Sequence, residues 1–215
     1  QDVIERYLLG HSAPVGRTTS TPLVQELASD LSKGRGAQLG GIAQAIFQGL
    51  ISGGDPLLYL REDSSVVAEL LGAGEAAILP ALLKGSDIKR YVAPTAHWRA
   101  VYPYYLESGR TRLFGERELA SQFPVTYAYL MRHRVQLSSR GSERMNYPAW
   151  YALWCPRDMA RLRAPKILTQ VLARRPSFTF DQQGDFSFVG GGNAGVYGIA
   201  LKPSYGVSPR HYLAI

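Results

Sequence analysis

Leu23, Val24, Leu27, Ala28 and Leu31 recur at the three- and four-residue spacing of a helix face, after a Ser/Thr/Pro-rich lead-in at 18–22. Gly34, Gly36, Gly40 and Gly41 break that pattern. Residues 42–50 read as a strand carrying Ile42, Ile46 and Phe47; the turn signal Gly53-Gly54-Asp55-Pro56 closes it, and 57–60 form a second short strand. Residues 75–83 are apolar with acid near the start, the pattern of a short helix in spite of Pro80. From Asp87 the texture changes to Tyr, Arg and Val, and 88–92 and 98–105 predict neighbouring strands separated by Pro94. The clearest helix spans 123–139: Phe123, Tyr127, Leu130 and Leu137 fall on one side, and Arg132, Gln136 and Arg140 on another. Residues 167–173 predict a strand. Residues 177–180 and 185–189 alternate about Gln182-Gln183-Gly184 and predict a hairpin. Residues 196–201 add a strand, and Pro209 precedes the start of a helix. The sum is an α/β (α+β) module: a twisted, mostly antiparallel sheet with peripheral helices. No repeat at solenoid spacing and no low-complexity tract interrupts it.

With 215 residues, 46% hydrophobic and 19% charged, the chain can bury a core as one large domain or two small ones. Its charge is unevenly spread. Residues 1–83 hold 5 basic and 9 acidic side chains, residues 84–175 hold 17 and 6, and residues 176–215 hold 2 and 2. The middle stretch therefore carries +11 in a chain of net +7, and 19 of the 24 basic residues are Arg, whose fork suits phosphates and guanine edges. A polyanionic partner is implied, nucleic acid first. The single cysteine, Cys155, sits before Pro156 in the aromatic run Trp150, Tyr151 and Trp154. It can form no internal disulfide, fits a reducing cytoplasm, and reads as a buried small apolar residue. No membrane span and no signal peptide are recognisable, so no membrane partner is expected. The start at Gln1 and the apolar end Tyr212-Leu213-Ala214-Ile215 lead us to expect a piece of a longer protein.

Catalytic motifs fail one by one. Gly190, Gly192 and Gly195 have GxGxxG spacing, but the fingerprint requires a helix next, and 196–201 read as a strand; an inter-strand loop is the better reading. His11, His97, His133 and His211 are scattered without metal-ligand spacing, and no GxSxG elbow accompanies them. Mg²⁺-dependent cleavage wants clustered carboxylates, whereas Asp87 and Asp158 are isolated, and Asp181 and Asp185 flank a turn. Asp55-Pro56-Leu57-Leu58 and Asn146-Tyr147-Pro148 both lack the second Pro and aromatic with which amino methyltransferases hold a flipped base. What survives is a set of basic residues interleaved with aromatics: Lys89-Arg90-Tyr91, Trp98-Arg99, Arg132-His133-Arg134, Arg140 with Arg144, and Arg174-Arg175.

Seven segments then follow in order: 39–60 (LGGIAQAIFQGLISGGDPLLYL), 83–91 (LKGSDIKRY), Val101-Tyr102-Pro103-Tyr104, 123–140 (FPVTYAYLMRHRVQLSSR), Trp150-Tyr151 with Pro165-Lys166-Ile167, 178–186, and Tyr212-Leu213-Ala214-Ile215. Together they resemble the TaqI-like C-terminal specificity domain, the target recognition domain of adenine-specific DNA methyltransferases and of fused type IIG restriction-modification enzymes of bacterial defence. The resemblance covers residues 39–215 and stops short of the family's last helix and C-terminal strands, so a truncated recognition domain is expected there. Residues 1–38 are expected to form a linker and helix region against an upstream domain.

The resemblance implies a division of labour. An upstream methyltransferase domain would bind S-adenosylmethionine, with Mg²⁺ where a nuclease is fused, and flip the adenine. This chain, without cofactor or catalysis of its own, would grip double-stranded DNA and read its sequence. Within or beside the matching segments, Lys89, Arg90, Arg132, Arg134, Arg140 and Lys166 are the expected phosphate contacts. Lys84 and Asp87 belong to the same signature and could instead brace the fold as an ion pair. Arg174, Arg175, Gln182 and Gln183 flank the predicted hairpin and are the expected base readers. Two other readings stay open: a nuclease or hydrolase whose site assembles from sequence-distant residues, and a protein–protein interaction module docking through its acidic first third.

Overall fold

Backbone pairing sorts the described residues into two four-stranded sheets and a two-stranded ribbon. The computed structural model describes residues 41, 43–90, 92–140 and 146–203, so the helices predicted at 23–31 and after Pro209 lie outside the described residues. In chain order the elements are β1 (Ala43–Gln48), α1 (Asp55–Leu58), β2 (Tyr59–Arg61), α2 (Ser65–Gly72), β3 (Ala81–Leu83), β4 (Trp98–Ala100), β5 (Tyr104–Glu107), β6 (Arg110–Leu113), α3 (Glu116–Gln122), α4 (Pro124–Arg132), α5 (Arg134–Ser138), α6 (Met159–Leu162), β7 (Lys166–Gln170), β8 (Phe178–Asp181), β9 (Ser187–Phe188) and β10 (Val196–Leu201). The first sheet runs β1-β10-β7-β8, the second β2-β4-β3-β9, and β5-β6 form the ribbon. Among the described strands every pair is antiparallel except β3 with β9. The mixed, mostly antiparallel α+β class expected from the sequence is the one observed.

Local chemistry starts and stops these pieces. Ser64 caps α2 by accepting the Val67 amide at 3.3 Å, and Val67 and Leu70 turn into the core. Asp158 caps α6 by accepting the Ala160 amide at 3.0 Å. Helix α4 begins on Pro124, and its next two amides donate to the buried Glu75 carboxylate at 2.9 and 2.7 Å. Helix α4 and the 75–78 turn are thereby fastened across fifty residues of sequence.

Five expectations need correction. Residues 57–60 do not form one strand, because Leu57 and Leu58 complete the short helix α1 begun at Asp55-Pro56 and β2 takes Tyr59–Arg61. Residues 178–181 and 185–189 do not pair: β8 lies against β7, and β9 leaves for the second sheet and lies parallel to β3. The true hairpin joins β7 to β8. Residues 75–83 form a short 3-10 turn at Ala76–Ile78 and then strand β3, because Pro80 cannot continue a helix. Residues 88–92 form no strand among those described, and 98–105 divide into β4 and β5 where Pro103 interrupts the ladder. The long helix over 123–139 breaks at His133 into α4 and α5. The β5-β6 ribbon had a readable signal, Ser108-Gly109, whose positive φ values of 48° and 77° make a tight hairpin turn. Cys155 is half-buried, its backbone pairing with Ile51.

The sheets meet where β1 runs out. Leu50 donates to the Phe188 carbonyl at 2.7 Å and accepts from the Gly190 amide at 2.7 Å, while Val189 donates to Leu83 and accepts from Val196. Gly49 and Gly190 permit that crossing: a Cβ on Gly49 would stand 1.9 Å from the Phe188 carbonyl oxygen, and one on Gly190 2.2 Å from the Gly49 oxygen. Leu50, Leu58, Leu82, Leu130, Leu168 and Phe188 belong to one core cluster spanning both sheets and the helices. The glycine loop at 190–195 leads straight into β10, the inter-strand loop expected of it.

Candidate nucleic-acid interface

The expected phosphate contacts divide into those facing solvent and those turned inward. Arg140 is turned inward. Its Nε donates to the Leu137 carbonyl at 2.9 Å, Nη1 to Ser52 at 2.9 Å, and Nη2 to Trp150 and Ala152 at 2.8 and 3.0 Å, with the Tyr147 ring 4.5 Å from its guanidinium carbon. Burial lowers its proton affinity. The sequence motif Gly53-Gly54 belongs to this clasp, since a Cβ on Gly54 would lie 2.7 Å from Arg140 Cδ. Four of five donors are spent on backbone carbonyls, so Arg140 is a fastening rather than a DNA contact.

Lys166 is also corrected. It is wholly buried: Nζ lies 2.5 Å from Asp181 Oδ2 and donates to the Leu162 carbonyl at 2.6 Å. No phosphate reaches it without opening the core. Lys84 and Asp87 brace the fold, but not as an ion pair. Asp87 accepts the Lys84 backbone N–H at 2.8 Å, while the Lys84 ammonium sits 3.2 Å from the centre of the Trp98 ring. Two further arginines of the basic stretch are likewise committed. Arg99 is forked onto Glu62 at 2.6 and 3.0 Å, and Arg157 donates to the Gly49 carbonyl at 2.8 Å.

Lys89, Arg90, Arg132, Arg134, Arg174 and Arg175 are exposed, as expected of contacts. Arg132 and Arg134 flank His133 at the break between α4 and α5; Arg132 comes within 3.9 Å of Glu69, and Arg134 lies over the Trp150 ring at 5.2 Å. The tertiary structure brings the residues on either side of Lys89-Arg90 against the β7–β8 hairpin that carries Arg174-Arg175. Gln170, the last residue of β7, donates through Nε2 to the Ile88 carbonyl at 2.7 Å, and Thr179 Oγ1 of β8 donates to Val92 at 3.2 Å. Ile88 and Val92 thus lie beside the end of the hairpin from which the Arg174-Arg175 connection springs. Gln182 and Gln183 are exposed at the opposite end of β8. There they adjoin α6, because a Cβ on Gly184 would meet the Arg163 carbonyl oxygen at 2.0 Å. The four expected base readers therefore do not form one group.

Three tyrosines of the basic stretch belong to the fold. The hydroxyl of Tyr102 donates to Pro156 at 2.8 Å, Tyr129 to Leu57 at 2.9 Å and Tyr151 to Phe114 at 2.8 Å, all from buried rings. Sequence reasoning missed the exposed Arg110, Arg112, Arg117, Arg161 and Arg163. Charge alone could have drawn attention to them, since they share the same block. It also missed Val92, Leu172 and Phe178, which are apolar yet exposed at the Lys89–Arg175 edge. No sequence signal separates an exposed Leu from a core one.

Among the described residues no three His, Cys, Asp or Glu side chains gather to hold a metal ion, and no helix is long and apolar enough to cross a membrane. No protein-family model matches the chain, and no curated protein matches it.

Proposed function

We propose that the chain binds double-stranded DNA sequence-specifically, as the target recognition domain of an adenine-specific DNA methyltransferase or fused restriction-modification enzyme. One observation carries this reading. After the inward-facing cations are set aside, Lys89, Arg90, Arg110, Arg112, Arg117, Arg132, Arg134, Arg161, Arg163, Arg174 and Arg175 all remain exposed. Against them the described part of the stretch offers Asp87, Glu107, Glu116, Glu118 and Asp158. Three of these acids serve local structure. Asp87 and Asp158 accept backbone amides, and Glu116 accepts from Tyr127 and Trp150. The exposed excess is strongly cationic and mostly Arg, which draws a polyanion and forks onto phosphate oxygens. Phosphate contacts fix register, and a few forked contacts to base edges supply the sequence reading. Methyl transfer and its S-adenosylmethionine belong to the upstream domain in this scheme, with Mg²⁺ only where a nuclease is fused.

Duplex binding by the 215-residue chain, followed by fluorescence anisotropy across a salt series, tests the reading. Affinity should fall by about two to three orders of magnitude between roughly 50 and 200 mM salt if about five phosphates are contacted. Plasmid incubated with the chain and Mg²⁺ should stay intact. Absence of binding at low salt, or binding indifferent to salt, overturns the proposal.

A further inference from the structure

The connection between β7 and β8 is a seven-residue loop, longer than a tight hairpin turn. Residues 171–177 read Val-Leu-Ala-Arg-Arg-Pro-Ser, with none of the Gly, Asn or Asp that tight hairpins use, and 172–176 are exposed without a break. Leu172 is 55%, Val92 54% and Phe178 36% exposed. Thr169 Oγ1 donates to the Ser177 carbonyl at 3.0 Å, which closes the neck of the connection and holds it on the sheet. Lys89 and Arg90 follow Ile88, whose carbonyl accepts from Gln170 at the end of β7, and precede Val92, whose carbonyl accepts from Thr179 of β8. Neither 88–106 nor 159–180 contains a single Asp or Glu. Exposed apolar and cationic side chains on two neighbouring segments, neither of which contains an acid, make this edge a candidate binding surface. Its chemistry matches a DNA groove, where phosphates line the walls while base edges and thymine methyls form the floor.

We propose that the 171–177 connection is the base-reading element of this domain, entering the major groove with Arg174 and Arg175 forked onto base edges and Leu172 against the floor. Lys89 and Arg90 hold the flanking phosphates, and Gln182 and Gln183, at the far end of β8, take no part in that contact. This inference rests on the duplex binding proposed above and narrows it to one hairpin.

Selection of preferred sequences from a randomised duplex pool, followed by affinity measurements on the selected and an unselected duplex, tests it. Arg174→Lys/Arg175→Lys keeps the charge but loses the fork. It should cut the preference for the selected duplex roughly 5- to 150-fold and leave the unselected affinity nearly unchanged. Leu172→Ser should lower the preference in the same direction. Lys89→Ala/Arg90→Ala should weaken both duplexes equally and reduce the salt slope by about 2. Gln182→Ala/Gln183→Ala should leave the preference as it was. If the wild type selects a sequence and the Arg→Lys pair and Leu172→Ser retain its preference, the hairpin does not read bases, although the DNA-binding proposal stands. A wild type that binds duplex but selects no sequence overturns the inference too. A wild type that binds no duplex overturns both proposals. Binding of polyglutamate, with hydrogen-exchange protection at 171–177, would then assign the edge to an acidic protein.

Discussion

Lys166 and Asp181 show what one buried pair demands of its surroundings. Besides Asp181, the ammonium donates to Leu162 and is 3.4 Å from the Ala164 carbonyl; the carboxylate also accepts the Asp185 and Phe186 amides at 3.0 and 3.1 Å. Burial pushes the Lys166 ammonium below its ordinary value, and the hydrogen bond and charge of Asp181 oppose that push. Removing one partner strands the other in the core. Lys166→Met should therefore cost about 3–5 kcal/mol by urea denaturation, and Lys166→Met/Asp181→Asn should cost less than the single change. An additive double mutant would refute the pairing. In sequence Lys166 is indistinguishable from Lys89 and Arg90, a cation beside apolar or aromatic neighbours, and Arg140 sits among Ser and Gly as a surface cation would. Burial separates them, and burial is decided by residues such as Ser52 and Asp181, which lie 88 and 15 positions away.

At the scale of elements, the crossing of the two sheets depends on the absence of side chains at two positions. Gly49→Ala or Gly190→Ala drives a methyl into backbone, so each should cost about 3 kcal/mol in thermal or urea unfolding. Gly72→Ala is the natural comparison. It ends α2 with no atom within 4 Å of its added Cβ, and should raise stability by about 0.5–1 kcal/mol. A same-sign result at all three sites would defeat the account. Strand periodicity was legible in β1, β7 and β10, and turn chemistry in Ser108-Gly109. Pairing was not. Residues 178–189 alternate about a Gly exactly where a hairpin would, yet β8 and β9 belong to different sheets. Alternation reports that a strand has two faces, whereas its partner is set by contacts across the whole chain.

For the whole molecule, the buried tyrosines govern the response to alkali. Burial holds the hydroxyls of Tyr59, Tyr102 and Tyr104 well above the ordinary value, and raises Tyr129 and Tyr151 in the same sense. In the unfolded chain these groups ionise near about pH 10. Above that pH the unfolded state has lost protons that the native state keeps, so stability falls as pH rises through it. Lys166 and Lys84, both lowered by burial, act oppositely just below the ordinary lysine value, but they are two against five. Urea midpoints taken between about pH 8 and 11 should decline, with tyrosinate absorbance appearing cooperatively on unfolding. A flat profile would mean the rings are not buried. The charge of the molecule follows the same logic of place. The +11 stretch is a property of sequence, but part of it is spent on Arg99, Arg140, Arg157 and Lys166 inside the fold, while two acid-free segments are brought to one edge.

The sequence by itself determined the mixed class, most strand positions, the concentration of Arg and the loop character of the 190–195 glycines. These follow from local periodicity, steric freedom and composition. Tertiary structure alone decided which strands pair, which cations are fastenings and which face water, and that the residues on either side of Lys89-Arg90 lie against the hairpin that carries Arg174-Arg175. Those outcomes depend on burial and on hydrogen bonds between residues up to a hundred positions apart, and local pattern carries no record of them.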